Sequence, residues 1–215
     1  MGYKAVLFDM DGTVLDTLDD LTAAVNHSLE HFGLPRVSRE KVRQSLGNGA
    51  ARLCRCCMPQ GSDEALAREL IAYYMPWYDA HCLIQTRPYA GILPLMERLR
   101  ERGVKQAIIS NKAQPAVQEL ARHFFPGLLE LAVGESQTVR RKPNPDAVLA
   151  AAAGMGLAAA DCVYVGDTEV DLQTAKNAGM DGIAVCWGFR SRKQLLAAGA
   201  ERLAETPEEL EALLG

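Results

Sequence analysis

Near the N-terminus an apolar run, Val6-Leu7-Phe8, gives way at once to Asp9-Met10-Asp11-Gly12-Thr13. A short apolar run bounded by a glycine reads as a buried strand. Strand alternation then sends Asp9 and Asp11 to one side of the backbone and Met10 to the other. Gly12 ends the strand and lets the main chain come close to a bound group. Two carboxylates crowded at a strand end repel each other unless a cation or a proton intervenes. A purely structural turn has no use for that repulsion, so the pair marks a candidate site. Asp-x-Asp-Gly also opens calcium-binding loops. Such a loop needs further oxygen ligands and a closing Glu, whereas Thr13-Val14-Leu15 follows here, and the calcium reading fails.

Behind this strand, apolar residues at Leu21, Val25, Leu29 and Phe32 predict a helix over 19–32, stopped by Gly33. Further helices are predicted over 38–46, broken by Gly47-Asn48-Gly49, and over 50–57. Ser62-Asp63-Glu64 starts another that carries Leu66, Leu70, Ile71 and Tyr74, and Pro76 should kink or end it. Nothing between 19 and 82 reads as a strand. The pattern then changes. Strands are predicted over 104–110, 129–133, 162–165 and 183–186, with helices over 91–102, 115–124, 145–153 and 171–178 between them. Thr206-Pro207-Glu208-Glu209 has capping-box order with proline at the first helical position. Strands alternating with helices imply an α/β fold built on a doubly wound parallel sheet. Residues 1–15 and 85–215 form the expected core, and 16–84 an α-helical cap inserted after the first strand.

With 215 residues, 48% of them hydrophobic and 23% charged, the composition is that of a soluble globular protein. A net charge of -4 gives no general pull toward nucleic acid, and no apolar run reaches membrane-spanning length. The N-terminus lacks a basic segment followed by an apolar one, and six cysteines at irregular spacings fit a reduced setting. The expectation is a cytoplasmic protein without nucleic-acid or membrane partners, its choice between monomer and homodimer left open.

Ligands of parallel sheets bind beyond the carboxyl ends of the strands. Three predicted strands end there in polar residues: Asp9 and Asp11, then Ser110-Asn111, then Gly166-Asp167-Thr168 with Asp171 one turn on. Arg141-Lys142-Pro143 adds a cation in a loop. Taken singly, Ser110 is better read as a helix cap, Lys142 as a solvated charge and Asp167 as a turn residue. Their shared position at strand ends reverses that. Asp9 and Asp167 offer hard oxygen ligands for a magnesium ion, Lys142 a point charge for an anionic substrate, and Ser110 with nearby N–H groups a hold on phosphate oxygens. Phosphoryl transfer depends mainly on positioning and electrostatic stabilisation, which this set supplies. One Asp can attack phosphorus, and the other can shuttle protons to and from the leaving oxygen and water.

These motifs, in this order over nearly the whole chain, resemble the haloacid dehalogenase superfamily, and within it the phosphoglycolate phosphatases. The resemblance implies a Rossmann-like core with a mobile cap, Asp9 as nucleophile and Asp11 as general acid/base. It implies Mg2+ held by Asp9, the Asp11 carbonyl and Asp167, with Asp171 behind them. Gly12, Thr13, Ser110 and Asn111 fall at its phosphate-binding positions, and the loss of Lys142 is expected to spare the fold while weakening activity. Leu46-Gly47-Asn48-Gly49-Ala50 is similar to a cap segment of the phosphoglycolate phosphatases, which makes Asn48 a candidate substrate contact; Arg52 is the candidate among the basic cap residues, a patch that could attract a substrate with a carboxylate as well as a phosphate. The expected substrate is a small phosphorylated metabolite, with 2-phosphoglycolate in the lead. Arg36, Arg39, Lys41, Arg43 and Arg55 read as a solvated cap surface, His27 and His31 as packing residues, and Cys54, Cys56 and Cys57 as thiols without a zinc partner set. Sugar-phosphate mutase and pyrophosphatase are the alternatives within the superfamily. A receiver-like phospho-Asp signalling module is the alternative outside it, disfavoured because such a module has no use for a built-in base at Asp11.

Overall fold

The computed structural model describes residues 2–215. Six parallel strands form the sheet, in the order β5-β4-β1-β6-β7-β8: β1 Ala5–Phe8, β4 Lys105–Ala113, β5 Leu131–Glu135, β6 Cys162–Gly166, β7 Asp181–Val185 and β8 Leu203–Ala204. Alternation along β1 divides the core: Val6 and Phe8 enter one apolar cluster, Ala5 and Leu7 the other. Helices α5 (Ile92–Glu101), α6 (Gln114–Phe124) and α10 (Pro207–Leu214) supply the first cluster, and α7 (Asp146–Gly154) and α8 (Glu169–Ala178) the second. The alanines of α7, with Ala147, Ala151 and Ala152 buried, bring that helix close to the sheet.

Between β2 (Leu15–Asp16) and β3 (Arg87–Pro88) the chain is entirely helical: α1 Leu18–His31, α2 Arg39–Ser45, α3 Ala50–Cys57 and α4 Glu64–His81. β2 and β3 pair antiparallel, so the segments entering and leaving this block run side by side. Buried Asp20 holds the exit, accepting hydrogen bonds from Gln85 N (3.0 Å), Thr86 N (2.8 Å) and Thr86 Oγ1 (2.8 Å). Among the described residues no helix is long and apolar enough to cross a membrane, and all six cysteines are free.

Two local expectations are corrected. α4 runs through Pro76, so of the kink or end expected there the end does not occur. Proline removes the bond to the carbonyl of Ala72, and both residues lie on the helix's exposed side, where water replaces the lost donor. A further helix, α9 (Arg192–Ala197), was not read from the sequence. It is short, and Leu195 is its one buried residue, too little to give a helical period. The end caps were legible: Ser38 Oγ accepts from Lys41 N, and Thr206 Oγ1 from Glu209 N.

Candidate active site

The central strand and its two neighbours share one register, in which Phe8 lies opposite Ile108 on β4 and Val165 on β6. The residues just beyond that line are Asp9, then Ser110 and Asp167, so three distant motifs meet at one edge. Asp9 is 7% exposed and Asp167 fully buried.

Lys142 sits at the centre. Its Nζ lies 2.8 Å from Asp9 Oδ1 and 2.7 Å from Asp171 Oδ1, and donates to Tyr164 OH at 2.9 Å. These three partners use all three ammonium protons. Tyr164 in turn donates to Ile109 O (2.9 Å), which fixes its hydroxyl. Asn111 positions the lysine's main chain, accepting from Lys142 N (2.8 Å) and donating to Lys142 O (3.1 Å), and it also donates to Gly47 O of the helical block (3.1 Å). Asp171 opens α8: its second oxygen accepts from Thr168 N (3.0 Å) and Thr168 Oγ1 (2.7 Å). Asp167 accepts from Thr13 Oγ1 (3.2 Å) and Phe189 N (2.7 Å). Gly12, at φ +84°, and Gly188 make room for it, since a Cβ at either position would collide with the Asp167 carboxylate.

The acids outnumber the cations. Burial, reinforced by the charges of Asp171 and Asp11 and opposed by Lys142, pushes the Asp9 carboxyl up to about 7. Burial and the charges of Asp171 and Asp9 push Asp167 well above the carboxylate range. Burial disfavours the Lys142 charge, but Asp171 and Asp9 override it and hold the ammonium protonated. Asp11 lies outside this cluster, with its Oδ1 3.1 Å from Lys112 Nζ but out of line for a hydrogen bond. Burial and mutual repulsion thus drive Asp9 and Asp167 toward their neutral forms, and a divalent cation beside them would favour the ionised forms instead. Ligand oxygens of Asp9, Asp167 and Asp171 lie within 4.8 Å of one another, a hard donor set that suits such an ion. The side chain of Asp11 faces Lys112, which is compatible with the expectation that its main-chain carbonyl is the group offered to a metal.

A cavity of about 50 Å³ opens on this cluster, lined on the core side by Asp9, Asp11, Ser110, Lys112 and Lys142 and roofed by Leu46, Gly47, Leu53, Tyr74 and Tyr78. Ser110 Oγ accepts from Lys112 N (3.2 Å) and keeps its own proton free to donate. Of the predicted substrate contacts, Ser110 and Asn111 line this cavity, whereas Gly12, Thr13, Asn48 and Arg52 do not. Asn111 has every polar side-chain atom committed to Gly47 and Lys142 and so acts as scaffold. Arg52 is exposed: Ala50 and Leu53 turn α3's inner face to the cavity, and Arg52 lies about 200° round the helix from Ala50. The surface reading holds for Arg36, Arg39 and Arg55, which pair with Glu30, Asp19 and Glu64, whereas half-buried Arg43 pairs with Glu40 and also donates to Phe189 O of the core. His27 and His31 stack on Trp77 and Tyr73.

Sequence reasoning missed Lys112, Tyr74, Tyr78, Tyr164 and Phe189. Lys112 was visible as the third residue of Ser110-Asn111-Lys112, and Tyr74 and Tyr78 as a one-turn pair on α4. Tyr164 is indistinguishable from its apolar strand neighbours, and Phe189 contributes a main-chain N–H that no side-chain pattern reports.

The site is thus a buried acid–lysine cluster at the edge of a parallel α/β core, roofed by a helical insertion. The chain belongs to the haloacid dehalogenase-like hydrolase family, whose model matches residues 6–185. Over 213 residues it is 33% identical to a phosphoglycolate phosphatase of Xanthomonas campestris, covering 96% of this chain and 94% of that one. An N-acetylmuramic acid 6-phosphate phosphatase of Pseudomonas aeruginosa is 30% identical over 98% of this chain and 94% of its own. A crystal structure of a candidate phosphoglycolate phosphatase from Lactobacillus delbrueckii subsp. bulgaricus, 39% identical, superposes with a TM-score of 0.94 over 100% of both chains. The chain is thus a phosphatase of this family, similar along its length to phosphoglycolate phosphatases.

Proposed function

We propose that this phosphatase is magnesium-dependent, works through a phosphorylated Asp9 and takes 2-phosphoglycolate as its substrate. The observation that carries the mechanism is the clamp of Lys142 on Asp9 Oδ1, 2.8 Å. It leaves Asp9 Oδ2 without a protein partner among the described residues, free to attack. Asp9 Oδ2 forms the new bond to phosphorus while the bond from phosphorus to the leaving oxygen breaks, and Asp11 gives that oxygen a proton. In the second step water attacks phosphorus, Asp11 takes its proton, and the bond between Asp9 and phosphorus breaks to release phosphate. Lys142 stays protonated throughout, because two buried carboxylates hold it so, and it neutralises charge that gathers around Asp9. Asp9 and Asp167 would hold magnesium, with Asp171 oriented behind them by Thr168 and Lys142. When bound, the ion supplies positive charge against the phosphoryl oxygens. Ser110 Oγ is the remaining donor for those oxygens.

The small volume of the cavity supports a small substrate, as do the relatives named phosphoglycolate phosphatase. A sugar as large as N-acetylmuramic acid finds no comparable support in that volume. The test is phosphate release from 2-phosphoglycolate, pyrophosphate, sugar phosphates and nucleotides, with and without magnesium. Magnesium-dependent release, fastest from 2-phosphoglycolate, is the expected result. Isomerised sugar phosphate without free phosphate would make the protein a mutase.

A further inference from the structure

The cap side of the cavity carries groups that the phosphoryl chemistry leaves idle. Tyr74 and Tyr78 stand one turn apart on α4 with parallel rings, centroids 5.7 Å apart at 4°. They are 1% and 3% exposed, and Lys112, on the same wall, is 8% exposed. Lys112 Nζ donates to Tyr78 OH at 2.6 Å and lies 4.2 Å from the centre of that ring. The Tyr78 hydroxyl therefore accepts from Lys112, and its own proton has no acceptor among the described residues. Among the same residues the Tyr74 hydroxyl has no partner. Burial pushes both phenols well above their usual range, so both remain O–H donors. An ammonium has three protons; Tyr78 takes one of those of Lys112 and Asp11 stands beside another, which leaves one unspent.

Buried donors of this kind are paired in folded proteins, by protein, water or ligand. Here they cluster in a cavity that opens on the nucleophile. We propose that Lys112, Tyr78 and Tyr74 form a receptor for a carboxylate on the non-phosphoryl end of the substrate. This inference rests on the phosphatase reading above and specifies its substrate class: small phosphorylated acids. Two acceptors on the same wall compete with it, Asp79 Oδ1 and Asp11 Oδ1, and Asp11 serves the proton transfer. Asp79 Oδ1 is buried without a partner and would favour a hydroxyl at that end of the substrate instead. Three donors, one of them cationic, outnumber the two acids, of which Asp79 alone is left to face the substrate's far end.

The test compares kcat/KM for 2-phosphoglycolate, ethyl phosphate and 2-hydroxyethyl phosphate, which differ in the group presented to this wall. A site built to hydrogen-bond a group rejects analogues that lack it, so the wild type should prefer 2-phosphoglycolate by about 100-fold or more. Tyr74→Phe and Tyr78→Phe, which keep the rings, should each cut that preference about tenfold, chiefly through KM for 2-phosphoglycolate. Lys112→Met should cut it further. Equal rates on 2-phosphoglycolate and ethyl phosphate by the wild type would overturn the receptor, and so would a preference for 2-hydroxyethyl phosphate. Variants that slow all three substrates by one common factor would reduce these residues to a structural role and also overturn it. No phosphate from any of the three would instead overturn the substrate reading on which the receptor rests.

Discussion

Lys142 is 5% exposed and binds two carboxylates, so its removal does more than subtract a charge from catalysis. From the sequence, its loss was expected to spare the fold. The structure revises that expectation, because Lys142→Ala leaves Asp9 and Asp171 buried without their shared cation. Breaking a buried pair in this way costs about 3–5 kcal/mol. Urea unfolding of the metal-free protein should show that loss, alongside at least about a 100-fold fall in kcat; an unchanged midpoint would mean that the cluster is more hydrated than its burial implies. Thr13 acts at one remove. Its hydroxyl orients Asp167, and partners that orient a metal ligand contribute about 10–100-fold to metal affinity. Thr13→Val should weaken magnesium binding by about that factor in a calorimetric titration, with the fold retained. The candidate nucleophile and its lysine were readable because charged residues stand out at the ends of apolar strands. The donors of Tyr164 and Phe189 were not, since a tyrosine in a buried strand and a main-chain N–H leave no such mark.

Elements that obey local rules were legible, and those set by tertiary contact were not. The residues Ser38 and Thr206 start helices for reasons contained within four residues of sequence. Thr206→Ala should cost about 1 kcal/mol, a fall in Tm of about 2–4 °C by calorimetry, with phosphate release unchanged. By contrast, α3 was placed correctly but its inner face was not. Arg52 stood out among the basic cap residues as a substrate contact, yet Ala50 and Leu53 are the residues that face the cavity. Which side of an eight-residue helix turns inward depends on what it docks against, and charge patterning alone does not report it. β4 also runs longer than its apolar core predicts, to Ala113, because its pairing with β5 resumes at Ala113 and Glu135 after an irregularity. That extension is what brings Lys112 into the cavity wall.

At the scale of the molecule, two core side chains grip the helical block beside the cavity. Asn111 donates to Gly47 O, and Arg190 donates to Leu46 O (2.9 Å) while pairing with Glu169 at the start of α8. Each gripping residue also touches a segment that carries the acid–lysine cluster, so the seating of the helices and the arrangement of the cluster are mechanically linked. The acid cluster has a whole-molecule consequence as well. Magnesium at about 100 times its Kd should stabilise the fold by about 2.7 kcal/mol, raising Tm by about 5–10 °C, and chelation should reverse the gain. A melting curve indifferent to magnesium would argue against the metal site. The central claim is that Asp9 itself becomes phosphorylated. Acid-quenched turnover of 2-phosphoglycolate, followed by peptide mass spectrometry, should find a phosphoryl adduct on Asp9, while Asp9→Asn should give neither adduct nor turnover. An adduct on another residue, or an Asp9→Asn variant that releases phosphate at the wild-type rate, would contradict the account.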